Sequence, residues 1–222
     1  GIYRSEGNKK LLKNKRIKLF RGDLCNFTKT KKIIKKIKPD LIFHLASTAN
    51  VRQSFDLPKK TIENNNAITL NLLDIIRLEK INPIIIICSS SEVYGKLHKK
   101  DVPVKETKNM KPINPYSVSK AFQDMLSQVY YECYGLNIII TRMFSYVNAR
   151  KDYLFQTAFA KQIVEIEKGK KKYLTHGNLN SVRNIIDIYD AMEAYWLAAK
   201  RGKIGGIYNI SGKKVISVLN YL

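Results

Sequence analysis

No apolar run in this chain approaches the ~18–20 residues that a membrane-spanning helix needs. The longest candidate, Ile84-Ile-Ile-Ile-Cys88, reads as a buried strand. No membrane partner is therefore expected. Cysteine is scarce: Cys25, Cys88 and Cys133 are odd in number and widely spaced, which excludes a disulfide framework and the usual zinc spacings. The three histidines, His44, His98 and His176, stand far apart, so no metal site is expected. Cytoplasm is the expected location. No signal-peptide pattern and no initiating Met is present; the chain opens Gly1-Ile2-Tyr3-Arg4, as though cut from something longer.

Acidic residues are also few. Lys and Arg number 40 against 18 Asp and Glu, a net charge of +22. One reading is an anionic partner: nucleic acid, a membrane surface or a phosphorylated small molecule. The other is compositional, since most of the positives are Lys in a chain rich in Ile and Asn, as in an AT-rich genome. Lys29 to Lys38 looks like the solvated face of a helix. Nucleic acid is not the expected partner, because the lysines are spread through helices rather than interleaved with aromatics on one face.

What is present suffices for a core. The chain has 222 residues, 45% hydrophobic and 26% charged, enough for one large domain or one domain and a part. Strand and helix patterns alternate along it. Strands are predicted over 17–20, 41–45, 84–88, 137–142 and 207–210. Helices are predicted over 27–37, 62–78, 154–167 and 187–200, with a last one starting near Val215. Pro115 opens a further helix at its favoured first position and Gly135 closes it. Continuous apolar runs such as Ile84–Cys88, rather than alternating ones, suit a parallel sheet covered on both faces. The expected fold is α/β, a Rossmann-like doubly wound parallel sheet with a smaller, incomplete substrate-binding lobe. Residues 1–142 would form the dinucleotide-binding domain and 143–222 the partial lobe, with 181–210 returning to the sheet.

Ligands of such sheets bind beyond the carboxyl ends of the strands. After Leu41–Leu45 come the small residues Ala46-Ser47-Thr48-Ala49. After Ile84–Cys88 comes Ser89-Ser90-Ser91-Glu92-Val93-Tyr94-Gly95, three hydroxyls and a carboxylate at a strand end. Next is Asn114-Pro115-Tyr116-Ser117-Val118-Ser119-Lys120. On a helix Tyr116 and Lys120 share a face. An ammonium beside a phenol favours the phenolate, which makes the Tyr a usable proton donor and acceptor. With 13 Tyr in so Lys-rich a chain, roughly two Tyr-x-x-x-Lys matches arise by chance, so the spacing counts only because of its context.

That arrangement resembles the extended short-chain dehydrogenase/reductase family, and within it the GDP-mannose 4,6-dehydratase and GDP-4-keto-6-deoxymannose reductase branch. Arg21-Gly22-Asp23-Leu24 is similar to the adenine-contacting segment, and Phe43-His44-Leu45-Ala46-Ser47 to the turn beside the cofactor. Ser90-Ser91-Glu92-Val93-Tyr94-Gly95 is similar to the dehydratase's Thr-Ser-Glu-Leu-Tyr-Gly. Phe159 to Ile163, Gly177 to Arg183, Ala194 to Leu197 and Gly205 to Gly212 look more like the reductase. The resemblance implies Ser90, Glu92, Tyr116 and Lys120 as catalytic residues. It implies Arg4, Asp23, Leu24, Leu45, Ala46, Ser47, Tyr116 and Lys120 as contacts for NADP(H), with NAD(H) as the alternative. Arg4 favours a 2′-phosphate. It implies Ser54, Ser91, Ser145 and Arg183 as contacts for a GDP-sugar, and a homodimer through helices in the Tyr116 region.

The activity implied is NADP(H)-dependent reduction of a GDP-4-keto-6-deoxyhexose at C4. The alternative is 4,6-dehydration of GDP-mannose, with Glu92 removing the C5 proton. A third reading is a non-catalytic basic binding protein on the family fold. Three departures bear on these. No Gly-x-x-Gly-x-x-Gly turn occurs in the 222 residues. Phe144-Ser145-Tyr146 stands where the branch has Phe-Asn-His, and Asn184 where an Asp commonly follows the phosphate-binding Arg.

Overall fold

A computed structural model describes residues 1–4, 16–149, 151 and 154–222. Its centre is a four-stranded parallel sheet of β3 (Leu41–His44), β4 (Ile84–Ser90), β5 (Ile138–Met143) and β8 (Ile207–Ile210), in the spatial order 3-4-5-8. β1 (Ile2–Tyr3) and β2 (Phe20–Arg21) form a separate parallel pair. A third sheet joins β6 (Ser145–Tyr146), β7 (Val182–Ile186) and β9 (Val215–Ser217) in the order 6-7-9.

The helices are α1 (Phe27–Ile37), α2 (Val51–Asp56), α3 (Pro58–Leu78), α4 (Pro115–Tyr134), α5 (Phe155–Glu167), α6 (Ile188–Arg201) and α7 (Val218–Tyr221). Local chemistry sets several of their ends. The Asn26 side chain accepts from Lys29 N at the start of α1, and Lys38 ends it in the left-handed region just before Pro39. In α4 the Asn114 side chain accepts from Ser117 N, the Ser117 hydroxyl returns the contact to Asn114 N, and Pro115 fills the first turn. Gly135 closes α4 with φ +66, where a side chain would be strained.

The two central strands are buried on both faces because their first halves, Ile84–Ile87 and Ile138–Ile140, are continuous apolar runs, while their polar residues fall toward the carboxyl ends. Ile85, Ile87, Ile138 and Ile140 face Leu72, Leu73, Ile75 and Ile76 of α3 and Tyr130 of α4. Ile86, Ile139, Cys88 and Met143 face Ala191, Tyr195 and Ala199 of α6. Each buried Ile or Leu contributes about 1.5–3 kcal/mol relative to exposure. Helices on both faces of a parallel sheet make the doubly wound architecture.

Four expectations change. The strand expected over 17–20 shrinks to Phe20–Arg21, which pairs with β1. The helix expected from Ile62 begins at Pro58, and α2 lies just ahead of it. The helix expected from Val215 is instead a strand followed by the short α7, because Val215 and Ile216 pair antiparallel with Asn184 and Arg183. Of the stretch 181–210, Ile207–Ile210 joins the central sheet, while Val182–Ile186 lies in the third sheet. Among the described residues, no helix is long and apolar enough to cross a membrane.

Candidate active site

β4 ends at Ser90, and a 3-10 turn over Ser91–Tyr94 follows. The Ser90 hydroxyl caps that turn by accepting from Glu92 N at 3.2 Å. Ser91 is half-buried and Glu92 exposed. The Glu92 Oε2 accepts from Asn114 Nδ2 at 3.1 Å. Gly95 ends the turn at φ +69, where a Cβ would collide with the Lys111 carbonyl. Glycine is therefore needed for the following loop to return to the turn.

α4 lies over this strand end. Tyr116 and Lys120 are both buried. Lys120 Nζ donates to the Cys88 carbonyl at 2.7 Å and sits 5.9 Å from the Tyr116 ring centroid. The cap, the turn and this contact bring Ser90, Glu92, Tyr116 and Lys120 to the carboxyl end of β4. Burial is the main cause that lowers the Lys120 pKa to about 8, and Lys151 adds to it. Burial, aided by the Lys120 charge, also holds His44 down at about 3, so it is neutral at pH 7. Burial pushes the Cys88 thiol up to about 11.

A polar network joins α4 to α3. Asn65 Nδ2 donates to Ser119 Oγ at 2.9 Å and to the Thr48 carbonyl at 3.1 Å, and Asn65 Oδ1 accepts from Thr48 N at 2.7 Å. Ser119 Oγ donates to the Tyr116 carbonyl at 2.7 Å. Gln123 donates to Asn65 O and to Thr69 Oγ1, which also meets His44 Nε2. Sequence reasoning missed Asn65. The available signal was a polar residue on the apolar stripe of α3, one turn before Ile68.

A cleft of about 280 Å³ opens beside this network. Arg4, Asp23, Leu24, Ala46 and Ser47 line it, as do Asn64 and Ile68. Five of the expected cofactor contacts thus share one cleft. Leu45 is not in its lining and is 61% exposed. Arg4 Nη1 donates to Asn64 Oδ1 at 2.9 Å and lies 4.0 Å from Asp23. The Ser47 Oγ has no hydrogen-bond partner among the described residues. A carboxylate, a guanidinium and an unpartnered hydroxyl around a cleft of this size fit the adenosine end of a dinucleotide, and Lys120 with Tyr116 fits its other end. Among the described residues no group of three or more His, Cys, Asp or Glu is placed to hold a metal ion.

The expected substrate contacts are dispersed. Ser54 is fully buried, and its hydroxyl donates to Val51 O at 2.6 Å within α2, so it is not presented to a ligand. Ser145 stands on β6 opposite Ile185. Arg183 stands exposed on β7, its Nη1 donating to the neighbouring Val182 carbonyl at 2.9 Å.

The family described as GDP-mannose 4,6 dehydratase matches residues 2–221. The chain belongs to that family. This GDP-mannose dehydratase-family chain is 29% identical over 174 residues to GDP-6-deoxy-D-mannose reductase of Pseudomonas aeruginosa, covering 78% of this chain and 57% of that protein. It is 32% identical over 184 residues to GDP-mannose 4,6 dehydratase of Homo sapiens, covering 82% of this chain and 49% of that protein. It superposes on the structure of RMD from Pseudomonas aeruginosa complexed with NADPH with a TM-score of 0.86 at 25% identity, over 96% of this chain and 75% of that one. The chain spans about half the length of the curated relatives it matches.

Proposed function

We propose that the protein is an NADP(H)-dependent nucleotide-sugar enzyme that reduces a GDP-4-keto-6-deoxyhexose at C4. The observation that carries this reading is the buried Tyr116–Lys120 pair, locked to the end of β4 beside Ser90. The match to GDP-6-deoxy-D-mannose reductase supports the substrate class, and the NADPH in the superposed structure supports the cofactor. Arg4 at the cleft supplies charge for a 2′-phosphate.

When bound, the nicotinamide supplies the hydride that adds to the sugar carbonyl carbon. The chain's own residues handle the proton. Tyr116 donates it to the nascent C4 oxygen, and the Ser90 hydroxyl donates a hydrogen bond to the same atom. Lys120 in its charged form stands over the Tyr116 ring, where its charge favours a phenolate, and holds the cofactor ribose. Its own lowered pKa keeps it close to proton exchange at neutral pH. The cleft residues Arg4, Asp23 and Ser47 hold the adenosine end, and Arg183 contacts the nucleotide phosphates.

One observation favours a second reading. The Glu92 carboxylate is held by Asn114, whose other side-chain atom caps the Tyr116 helix. A carboxylate fixed at that rim suits a base for the C5 proton, as 4,6-dehydration requires. Mass spectrometry on two incubations separates the readings: GDP-mannose with NADP⁺, and GDP-4-keto-6-deoxymannose with NADPH. Gain of two hydrogens in the second, with no loss of water in the first, is the expected result. Loss of water in the first makes the protein a dehydratase. Silence in both, with no cofactor binding by calorimetry, overturns the enzyme reading and leaves a binding protein.

We also propose that two copies pair through α4. Val118, Phe122, Met125 and Val129 form an exposed apolar stripe along it. Sedimentation of the parent and of Met125→Glu is expected to give a dimer and a monomer respectively. The chemistry is assigned to the cytoplasm, where NADPH and GDP-sugars are available.

A further inference from the structure

α4 carries a third residue in register with Tyr116 and Lys120. Asp124 lies one turn beyond Lys120 on the same face and is fully buried. Its Oδ2 accepts from Ser89 Oγ at 3.0 Å, so the adjacent β4 residues Cys88 and Ser89 are each gripped by α4, one through Lys120 and one through Asp124. Ser90 is the next residue.

The partner of Asp124 is Arg142 on β5, only 3% exposed and directly opposite Ser89 in the strand register. The contact is two-pronged, Nε to Oδ2 at 2.8 Å and Nη2 to Oδ1 at 3.0 Å. Gln128 adds a donor to Oδ1 at 2.9 Å. Arg142 Nη1 reaches Tyr94 Oη at 3.0 Å and the Glu106 carbonyl at 2.8 Å. Tyr94 closes the turn that holds Glu92, and its hydroxyl donates to Asn209 on β8 at 2.7 Å. Burial opposes the Arg142 charge, but Asp124 and Tyr94 outweigh it and raise its pKa.

A buried ion pair is a poor way to gain stability. Taking both charges out of water costs several kcal/mol each, and well-packed apolar residues often do as well or better. What the pair provides is direction: a forked guanidinium fixes the carboxylate in two dimensions. We propose that Asp124 and Arg142 are positioning residues that hold the Tyr116–Lys120 face of α4 in register with the end of β4. This rests on the reading of Tyr116 and Lys120 as the proton-handling pair.

The test measures Lys120 itself, apart from turnover. The groups that face Lys120 are Tyr116 on its own helix, His44 on β3, Cys88 on β4 and Lys151 after β6. Amine labelling of Lys120 in the 222-residue chain, followed by mass spectrometry across pH, reads its midpoint. The variants are Asp124→Leu/Arg142→Met, which replaces the charges with apolar volume, and Ser89→Ala, which removes only the link from Asp124 to β4. Thermal melting checks that each is folded. In the folded double variant the labelling midpoint is expected to rise from about 8 toward that of an exposed lysine. Where the parent turns over, kcat is expected to fall about 100-fold with KM nearly unchanged, as for an ångström-scale misplacement. Ser89→Ala is expected to shift the midpoint in the same direction by less. An unchanged midpoint in the folded double variant overturns the proposal. If the double variant does not fold, an unchanged midpoint in Ser89→Ala overturns it. If the parent shows no turnover, the enzyme reading fails, while the labelling still decides whether the pair positions α4.

Discussion

Tyr116 and Lys120 are buried on a 20-residue helix capped at both ends, whereas Ser145 and Arg183 stand on strands of two and five residues in a separate small sheet. The first region is held by a capping box, the Asn65 network and the Asp124–Arg142 pair. In the second, Arg183 is exposed and its Nη1 donates to the carbonyl next to it. The contrast matches the two roles proposed for these regions. Moving a proton needs fixed geometry away from water, where dipoles act at full strength. Gripping phosphates needs an accessible charge that can adjust to its ligand.

The contrast can be broken most severely at Tyr116. Tyr116→Phe removes one hydroxyl and is expected to lower turnover about 1000-fold, within the range for loss of a general acid, with the melting temperature nearly unchanged. Steady-state kinetics beside a melting curve check both halves of that statement. The next largest effect concerns stability. Leu73→Ala, at a fully buried site, is expected to cost about 3 kcal/mol in chemical denaturation. Val182→Ala, at a position 56% exposed, should stay within about 0.5 kcal/mol. Equal losses at the two sites would erase the distinction between the regions.

Arg183→Ala sharpens the comparison from the other side. It is expected to raise KM for the GDP-sugar about 10-fold, as for loss of a charge-assisted contact, while kcat and stability hold. A fall in kcat instead would place Arg183 in the chemistry. The smallest effect at neutral pH is expected from His44→Gln. His44 is held at about 3 in the folded chain, against about 6.5 unfolded. The unfolded state therefore binds the extra proton first. Stability due to neutral His44 is complete above pH ~6.5 and is lost as pH falls toward 3. Denaturation at pH 7 and pH 5 should show a smaller drop for His44→Gln than for the parent.

The central sheet and α4 were legible because their causes are local. Runs of Ile, Asn114-Pro115 and Gly135 each act within a few residues. The strands β6 and β9 were not, because Val215 and Ile216 become a strand only through pairing with Asn184 and Arg183, some 30 residues earlier. α2 escaped notice because most of its six residues are exposed and show no apolar period. In the site, Tyr116, Lys120 and Ser90 carry a motif, whereas Asp124 continues their stripe without one. Its partner Arg142 sits on a neighbouring strand, and only the folded register puts the two together. Ser54 shows the converse: a hydroxyl that looks available in sequence is consumed by its own helix.

The ladder of Ile85, Ile86 and Ile87 against Ile138, Ile139 and Ile140 has a consequence for the chain before it folds. Each stretch is short, β-branched, uncharged and free of proline, the signature of segments that adhere to their own copies in other molecules. In the native state each is hidden between helices. During refolding each is open until α3 and α6 dock, and the partner strand is some 50 residues away along the chain. Yield on refolding should therefore fall as protein concentration rises, and a lysine placed within either stretch would trade self-adhesion for a ruined core.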